Sequence, residues 1–160
     1  MKLTSALCLV GLLAACSPQP AAEATPTPDA SSPARHRESG LAVVPLTVTT
    51  ATATHRFQVE VAATPAQQQK GLMFRTAMGP NEGMIFPNNP PQVRSFWMKN
   101  TVIPLDIIYI GPDRRVLNIV SGVPYSTEPL PSAGPVINVL ELIAGRSAEL
   151  GIKPGDAVAW

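Results

Sequence analysis

Apolar and polar side chains alternate along two short runs, residues 46–50 and 57–61. An alternation with a period of two is typical of a β-strand that has one buried face. Glu60 falls on the polar face of the second run, opposite its valines. Because a Thr/Ala stretch separates the two runs, we expect them to form a β-hairpin.

A helix signal follows this hairpin in the sequence "TPAQQQKGLMFR". Thr64 is a suitable N-cap, Pro65 suits the first helical position, and Gln67 stands where a capping box requires it. Gly71 is expected to end the helix after about two turns. The sequence "AGRSAELG" predicts a second short helix near the C-terminus.

Further apolar runs between glycine and proline breakers predict more strands. The clearest signal is a hairpin in "PLDIIYIGPDRRVLNIVSGV", with Gly-Pro-Asp as its turn. Residues 124–135, "PYSTEPLPSAGP", are too rich in proline to pair well and predict an exposed loop. The other predicted strands are 84–86, 93–100, 136–142 and a last one that ends at Trp160. This spacing predicts a mainly β fold, a single compact sandwich or barrel-like sheet with two short helices.

The first residues have the pattern of a secretory signal and are excluded from this fold. Residues 1–15 carry Lys2 and then an apolar run of about a dozen residues, shorter than the roughly 20 that a spanning helix needs. The sequence "LAAC" resembles a bacterial lipobox, so Cys16 is predicted to be lipidated and to hold the protein on a membrane. The serine after Cys16 favours the outer over the inner membrane, in the cell envelope and facing the periplasm.

Residues 16–45 are dense in Pro, Ala, Ser and Thr. Such a segment buries too little apolar surface to offset its ordering entropy, so it predicts a disordered tether behind the lipidated cysteine. Residues 46–160 then form one domain, which is long enough to bury a core of its own. We expect this domain to be a monomer.

Charge and cysteine content exclude several kinds of function. The chain has 12 basic and 11 acidic residues, and loss of Lys2 with the signal leaves 11 of each, which argues against nucleic acid as a partner. The two cysteines, Cys8 and Cys16, leave no thiol in the domain for a disulfide, catalysis or a zinc site. His55 is the one histidine after residue 46, and the acids lack calcium-loop spacing. We therefore expect no metal and no cofactor.

The stretch "SFWMKNT", residues 95–101, places two aromatic residues beside a lysine. As a strand, it would direct Phe96 to one face and both Trp97 and Lys99 to the other, so both faces are expected to be covered. Lys99 would then need a carboxylate or a ligand anion. Asp106 is placed to reach either Lys99 or free backbone N–H groups. A structural salt bridge and a ligand site are both open alternatives for Lys99.

Four segments resemble, in order and spacing, the uncharacterised DUF192 family of small bacterial and archaeal proteins: "GLMFRTAM", "EGMIFPN", "FWMKNTVIPLDIIYI" and "VLELIAGRSAELGIKPGDAV". The resemblance covers nearly all of residues 46–160 and implies a compact, mainly β domain. It implies no particular reaction, because the function of the family is unassigned. The polar positions of its signature are Glu60, Arg75, Lys99, Asn100, Thr101, Asp106 and Glu141.

We expect several of these polar residues to meet in one shallow cleft beside Trp97. A mixed-charge cleft with an aromatic floor suits a polar small molecule or a saccharide. Alternatively, the same residues form a buried structural network. The predicted ligand-binding residues are Glu60, Arg75, Trp97, Lys99, Asn100, Asp106 and Glu141.

On this interpretation the protein is a non-enzymatic binding or accessory module. One alternative is a carboxylate-dependent hydrolase of envelope polysaccharide, with an acid pair drawn from Glu60, Asp106, Glu128 and Glu141. Another is a structural protein that binds a protein partner through the loop 125–135.

Overall fold

The computed structural model describes residues 34–160. The predicted signal peptide 1–15, Cys16 and most of the predicted tether lie outside these residues. Two short helices and nine strands make up the described part: β1 Val43–Thr49, β2 Thr54–Val61, α1 Pro65–Lys70, β3 Glu82–Gln92, β4 Ser95–Phe96, β5 Leu105–Ile110, β6 Val116–Gly122, β7 Leu130–Pro131, β8 Val136–Ile143, α2 Arg146–Glu149 and β9 Ala157–Ala159. The prediction of a mainly β fold with two short helices is confirmed. Neither helix is long and apolar enough to cross a membrane.

Seven of the strands form one mixed sheet in the order β6-β5-β8-β3-β2-β1-β9, and β4 and β7 form a small second sheet. The pairing of β2 with β3 is parallel, and the other pairings are antiparallel. The large sheet is not closed, but an isolated bridge between Arg115 and Ala157 links the ends of its two edge strands. The sheet is therefore strongly curled.

Both faces of the curled sheet are buried. One apolar cluster contains residues from all seven strands, including Val59, Ile108 and Leu140, and so lies on the concave face. The second cluster lies on the opposite face, where Met84 and Ile107 are covered by residues of the long connections. Burial on both sides explains why β5 is apolar almost throughout. The candidate site lies in this second, outer layer.

Helix α1 begins and ends where the sequence predicts. Thr64 Oγ1 accepts a hydrogen bond from the Gln67 N–H (3.3 Å), and Gln67 Oε1 accepts one from the Thr64 N–H (2.9 Å). Gly71 follows the helix at φ +47°, a conformation that favours glycine. The hairpins β1–β2 and β5–β6 also form as expected.

The predicted strand 93–100 is wrong except at Ser95 and Phe96, which alone form β4. Met98 turns inward and is buried against Gly122, where a Cβ would lie 2.4 Å from its Sδ. Asn100 then adopts φ +57°, a conformation that asparagine tolerates better than most residues. Trp97 is 49% exposed, so the stretch is a turn with one buried anchor and is not a strand covered on both faces.

The proline-rich loop 124–135 pairs more than the sequence suggests. Leu130 and Pro131 form β7 and pair with Phe96 and Ser95. The Tyr109 hydroxyl donates a hydrogen bond to the Leu130 carbonyl and ties this strand to the large sheet. Proline is tolerated here because the small sheet has only two strands, and each is therefore an edge.

The described part of the chain begins before the predicted domain boundary. Strand β1 starts at Val43, so residue 46 lies inside it. Upstream, Arg35 and Ala42 form an isolated bridge, and the His36 N–H donates to the Leu41 carbonyl (2.8 Å). Residues 34–42 thus form an irregular hairpin that leads into the sheet.

Candidate functional site

The predicted site residues lie in separate places. The first is an ion pair between Glu60 on β2 and Arg75 after α1, both almost fully buried. Arg75 Nη1 and Nη2 lie 2.9 and 3.1 Å from the two Glu60 carboxylate oxygens. The Ser39 hydroxyl also donates to Glu60, and Glu38 lies 3.3 Å from Arg75 Nε. These contacts neutralise both charges, so this part matches the structural network that the sequence left open.

Asp106 forms the second place, on the opposite face of the sheet. Its carboxylate oxygens accept hydrogen bonds from the Gly145 N–H (3.2 Å) and the Ser147 N–H (2.9 Å) at the start of α2. Of the two partners considered for Asp106, the structure therefore has backbone N–H groups and not Lys99. A side chain from the neighbouring strand acts as the N-terminal cap that α2 lacks in its own sequence.

Lys99 is exposed and lies over the Trp97 ring, with Nζ 5.3 Å from the ring centroid. Within residues 34–160 no carboxylate forms an ion pair with it. The expected salt bridge at buried surface is absent because the strand that would bury Lys99 does not form. Asn100 is a turn residue whose carbonyl accepts the Phe74 N–H (2.8 Å).

Glu141, in the middle of β8, forms the third place. It is 5% exposed, and burial raises the pKa of its carboxyl from 4.5 to about 8. Its neighbours in register on β3 and β5 are Met84 and Ile107, which offer no hydrogen bond from their side chains. Among the residues that the structure describes, none donates a hydrogen bond to this carboxyl or pairs with it. A buried polar group in this state is costly, and it marks a candidate functional site.

The Glu141 carboxyl lies on the wall of a cavity of about 130 Å³, which we call the Glu141 cavity. The cavity lies between the end of α1 and the segment that carries β4. Its other lining residues include Lys70, Leu72, Phe86, Arg94, Phe96, Trp97 and Thr101.

Three aromatic residues, Phe86, Phe96 and Trp97, are among those that line the Glu141 cavity. Phe96 packs edge to face with Phe86, with ring centroids 5.0 Å apart, and with Tyr109, at 6.2 Å. The Arg94 guanidinium lies 5.8 Å from the Phe96 centroid and donates a hydrogen bond to Gln68 Oε1 (3.3 Å). These rings are well placed to stack on a ligand. Burial also raises the pKa of Tyr109, so its hydroxyl stays protonated and serves as a donor.

Of the seven predicted residues, Trp97 and Glu141 line this cavity, together with Thr101 of the signature. The other five, Glu60, Arg75, Lys99, Asn100 and Asp106, are not among its lining residues. The sequence analysis missed Phe86, Phe96 and Arg94 as site residues. Phe96 stands next to Trp97 in the sequence and could have been named on that ground. Only the fold shows that β3 brings Phe86 to the same cavity.

The arrangement does not favour acid and base catalysis by two carboxylates. Glu141 and Asp106 lie on opposite faces of the sheet, Glu60 is neutralised by Arg75, and Glu128 is exposed on a loop. Residues 34–160 also contain no cluster of three or more His, Cys, Asp or Glu that could hold a metal. The cavity thus combines one carboxyl with three aromatic residues and two cations.

Comparison with known proteins gives a family and two similar structures. The DUF192 family model, described as "Uncharacterized ACR", matches residues 46–160. A protein of unknown function from Novosphingobium aromaticivorans DSM 12444 is 57% identical, with a TM-score of 0.79, over 86% of this chain and 99% of that one. A proposed transcription regulator from Sinorhizobium meliloti 1021 is 39% identical, with a TM-score of 0.72, over 74% of this chain and 94% of that one. None of the curated proteins matches.

Proposed function

The chain belongs to the DUF192 family, whose function is uncharacterised, and we propose that it acts as a non-catalytic binding module for a small polar ligand. The Glu141 cavity is the binding site in this proposal. The two ligand classes expected from the sequence, polar small molecules and saccharides, are both consistent with this proposal.

One observation carries the proposal: Glu141, a nearly buried acid without a partner among the described residues, lines a cavity that three aromatic residues also line. An unsatisfied buried carboxyl destabilises the fold, so a role in binding explains why the position holds an acid. A ligand that hydrogen bonds to Glu141 would remove this cost. The aromatic rings would orient it by stacking, as is common in small-molecule sites.

The other candidate functions have less support. A hydrolase needs a second free carboxyl near Glu141, and the acids considered for it are neutralised, engaged in capping or remote. Binding of a protein through residues 125–135 has no specific contact in its favour, although the exposed Tyr125 belongs to that loop. The Sinorhizobium protein is described as a transcription regulator, but a net charge of +1 argues against nucleic acid as a partner of this chain.

We also propose that Cys16 carries a lipid and holds the domain in the envelope, at the outer membrane and facing the periplasm. The lipobox sequence supports this location. Growth with a labelled fatty acid should label the parent chain, and Cys16→Ser should abolish the label. A label that persists in Cys16→Ser would overturn the anchor without affecting the binding proposal.

The binding proposal is tested by thermal-shift screening of the purified protein against neutral saccharides, polyols, amino acids and small amines. We expect at least one class to raise the Tm, and Glu141→Gln to abolish that rise. Glu128→Gln is the matched control, because it removes an exposed carboxylate that does not line the cavity. If no compound raises the Tm, or if Glu141→Gln responds like the parent, the Glu141 cavity is not a binding site of this kind.

A further inference from the structure

The lining of the Glu141 cavity contains one acidic and two basic side chains. Glu141 supplies the one acid of its lining, and Arg94 and Lys70 line it as well. Arg94 Nη2 makes one hydrogen bond, to Gln68, so most of its five N–H donors are open to a ligand. In the described part of the chain, no ion pair joins Glu141 to either cation. In the free protein the acid of the cavity is thus not paired with either cation.

The size of the cavity limits what can enter it. Its volume of about 130 Å³ is slightly below the roughly 150 Å³ of an apolar cavity that holds benzene. A compact head group fits this space better than a whole sugar ring with its hydroxyls. The rest of a larger ligand would extend past the half-exposed Trp97.

We propose that the ligand is a small zwitterion whose ammonium group binds Glu141 and whose anionic group binds Arg94, with Lys70 nearby. An α-amino acid is the simplest molecule of this class. This inference rests on the proposed function, since it names the ligand of the same cavity.

An ammonium group suits the environment of Glu141 on two counts. It supplies the charge and the N–H donors that the carboxyl lacks in the free protein. It also lies favourably against the faces of aromatic rings, as the guanidinium of Arg94 already does on Phe96. A neutral saccharide would use the carboxyl but would leave the charge of Arg94 without a counterpart.

Binding of an ammonium group must displace the proton of Glu141 into solvent, because the free carboxyl has a pKa of about 8. The neighbouring ionisable groups do not change this sign: Tyr109 on β5 stays neutral, and Glu60 on β2 is paired with Arg75. Affinity should therefore rise by about tenfold per pH unit below pH 8 and level off above it.

Isothermal titration of the purified protein with the common L-amino acids tests the inference directly. N-acetyl amino acids lack the ammonium group and amino acid amides lack the carboxylate, so each isolates one end of the zwitterion. We expect binding of at least one amino acid, a loss of about tenfold to 100-fold on N-acetylation, and a smaller loss for the amide. Arg94→Gln should weaken binding of the amino acid and leave the affinity for its amide unchanged.

The outcomes separate this inference from the proposed function. If neutral saccharides bind through Glu141 and no amino acid does, the proposal of a zwitterionic ligand is wrong, and the proposed binding function is retained. If neither class nor any other compound of the thermal-shift panel binds, both are wrong. Equal binding of an amino acid and its N-acetyl derivative, or affinity that falls between pH 6 and pH 8, also overturns the inference. The derivatives are tested on the parent chain, so these results do not depend on whether a variant folds.

Discussion

Glu60 and Glu141 lie on either side of Met84 in one row across the sheet, and of these two acids only Glu60 has an arginine partner among the described residues. The two carboxyls share a face and are both almost fully buried. Glu60 is bound on both oxygens by Arg75, whereas Glu141 opens onto a cavity. The same residue type thus serves the fold at one position and is free for a ligand at the other.

Glu141→Gln should stabilise the protein, most strongly at alkaline pH. In the parent, the carboxyl has a pKa of about 8 when folded and about 4.5 when unfolded, so the unfolded state alone ionises between these values. The parent therefore loses stability from about pH 4.5 to pH 8 relative to the variant, by a few kcal/mol in all. Urea unfolding at pH 5 and pH 8.5 measures the difference. An equal effect at both pH values, or destabilisation at the higher one, would contradict the account.

Arg75→Met should destabilise the protein by about 3 to 5 kcal/mol, because it leaves the buried Glu60 carboxylate without its arginine. The double variant Glu60→Leu/Arg75→Met should lose less than the two single variants together, since no buried charge is left uncompensated. Urea unfolding of the four proteins gives the coupling energy. Strict additivity would show that the pair does not act as a unit.

Gly122→Ala should cost about 1 to 3 kcal/mol through overpacking. A Cβ at this position would lie 2.4 Å from Met98 Sδ and 2.9 Å from its Cγ, in a site where Met98 is 1% exposed. Gly134→Ala is the matched control, since its nearest neighbour would be 3.7 Å away. Thermal unfolding of both variants compares them. In a Met98→Ala background, Gly122→Ala should destabilise the protein less. An unchanged loss of stability would contradict this explanation of the turn.

Asp106→Ala and Lys99→Ala should differ sharply. Loss of Asp106 leaves two N–H groups at the start of α2 without acceptors, at a cost of about 1 to 2 kcal/mol. Lys99→Ala should change stability by less than about 0.5 kcal/mol, because the side chain is exposed and contacts the Trp97 ring. Urea unfolding distinguishes the two. Similar losses in both variants would instead indicate a Lys99–Asp106 ion pair.

Local rules gave the regular elements of this fold. Thr64, Pro65 and Gly71 determine α1 through interactions within a few residues, and the turn between β5 and β6 is equally local. The prediction of a strand at 93–100 is wrong because the conformation of this segment depends on a residue that is distant in sequence. Met98 can turn inward only because Gly122 on β6 has no side chain to block it. The periodicity of residues 93–100 gives no information about Gly122.

Of the candidate site, the sequence predicted Trp97 and Glu141 but neither the other residues of the cavity nor their grouping. The family signature pointed to Glu60, Asp106 and Glu141 alike, but strand parity and pairing decide which face each carboxyl occupies and what lies beside it. Arg75 reaches Glu60 from a loop, and Gly145 reaches Asp106 from the start of α2. Glu141 has only the apolar residues Met84 and Ile107 beside it in register on the flanking strands. The strand register determines these neighbours, and the sequence alone does not give that register.

The ionisation of Glu141 tests the central claim most directly. The ¹³C chemical shift of its side-chain carboxyl, followed by NMR from acid to alkaline pH with Glu141→Gln for assignment, reports the pKa of this one group. A desolvated and unpaired carboxyl predicts an apparent pKa of about 8 in the free protein, which should fall when an amino acid binds. A pKa near 4.5 in the free protein would mean that the carboxyl is solvated or already paired, and it would contradict the account.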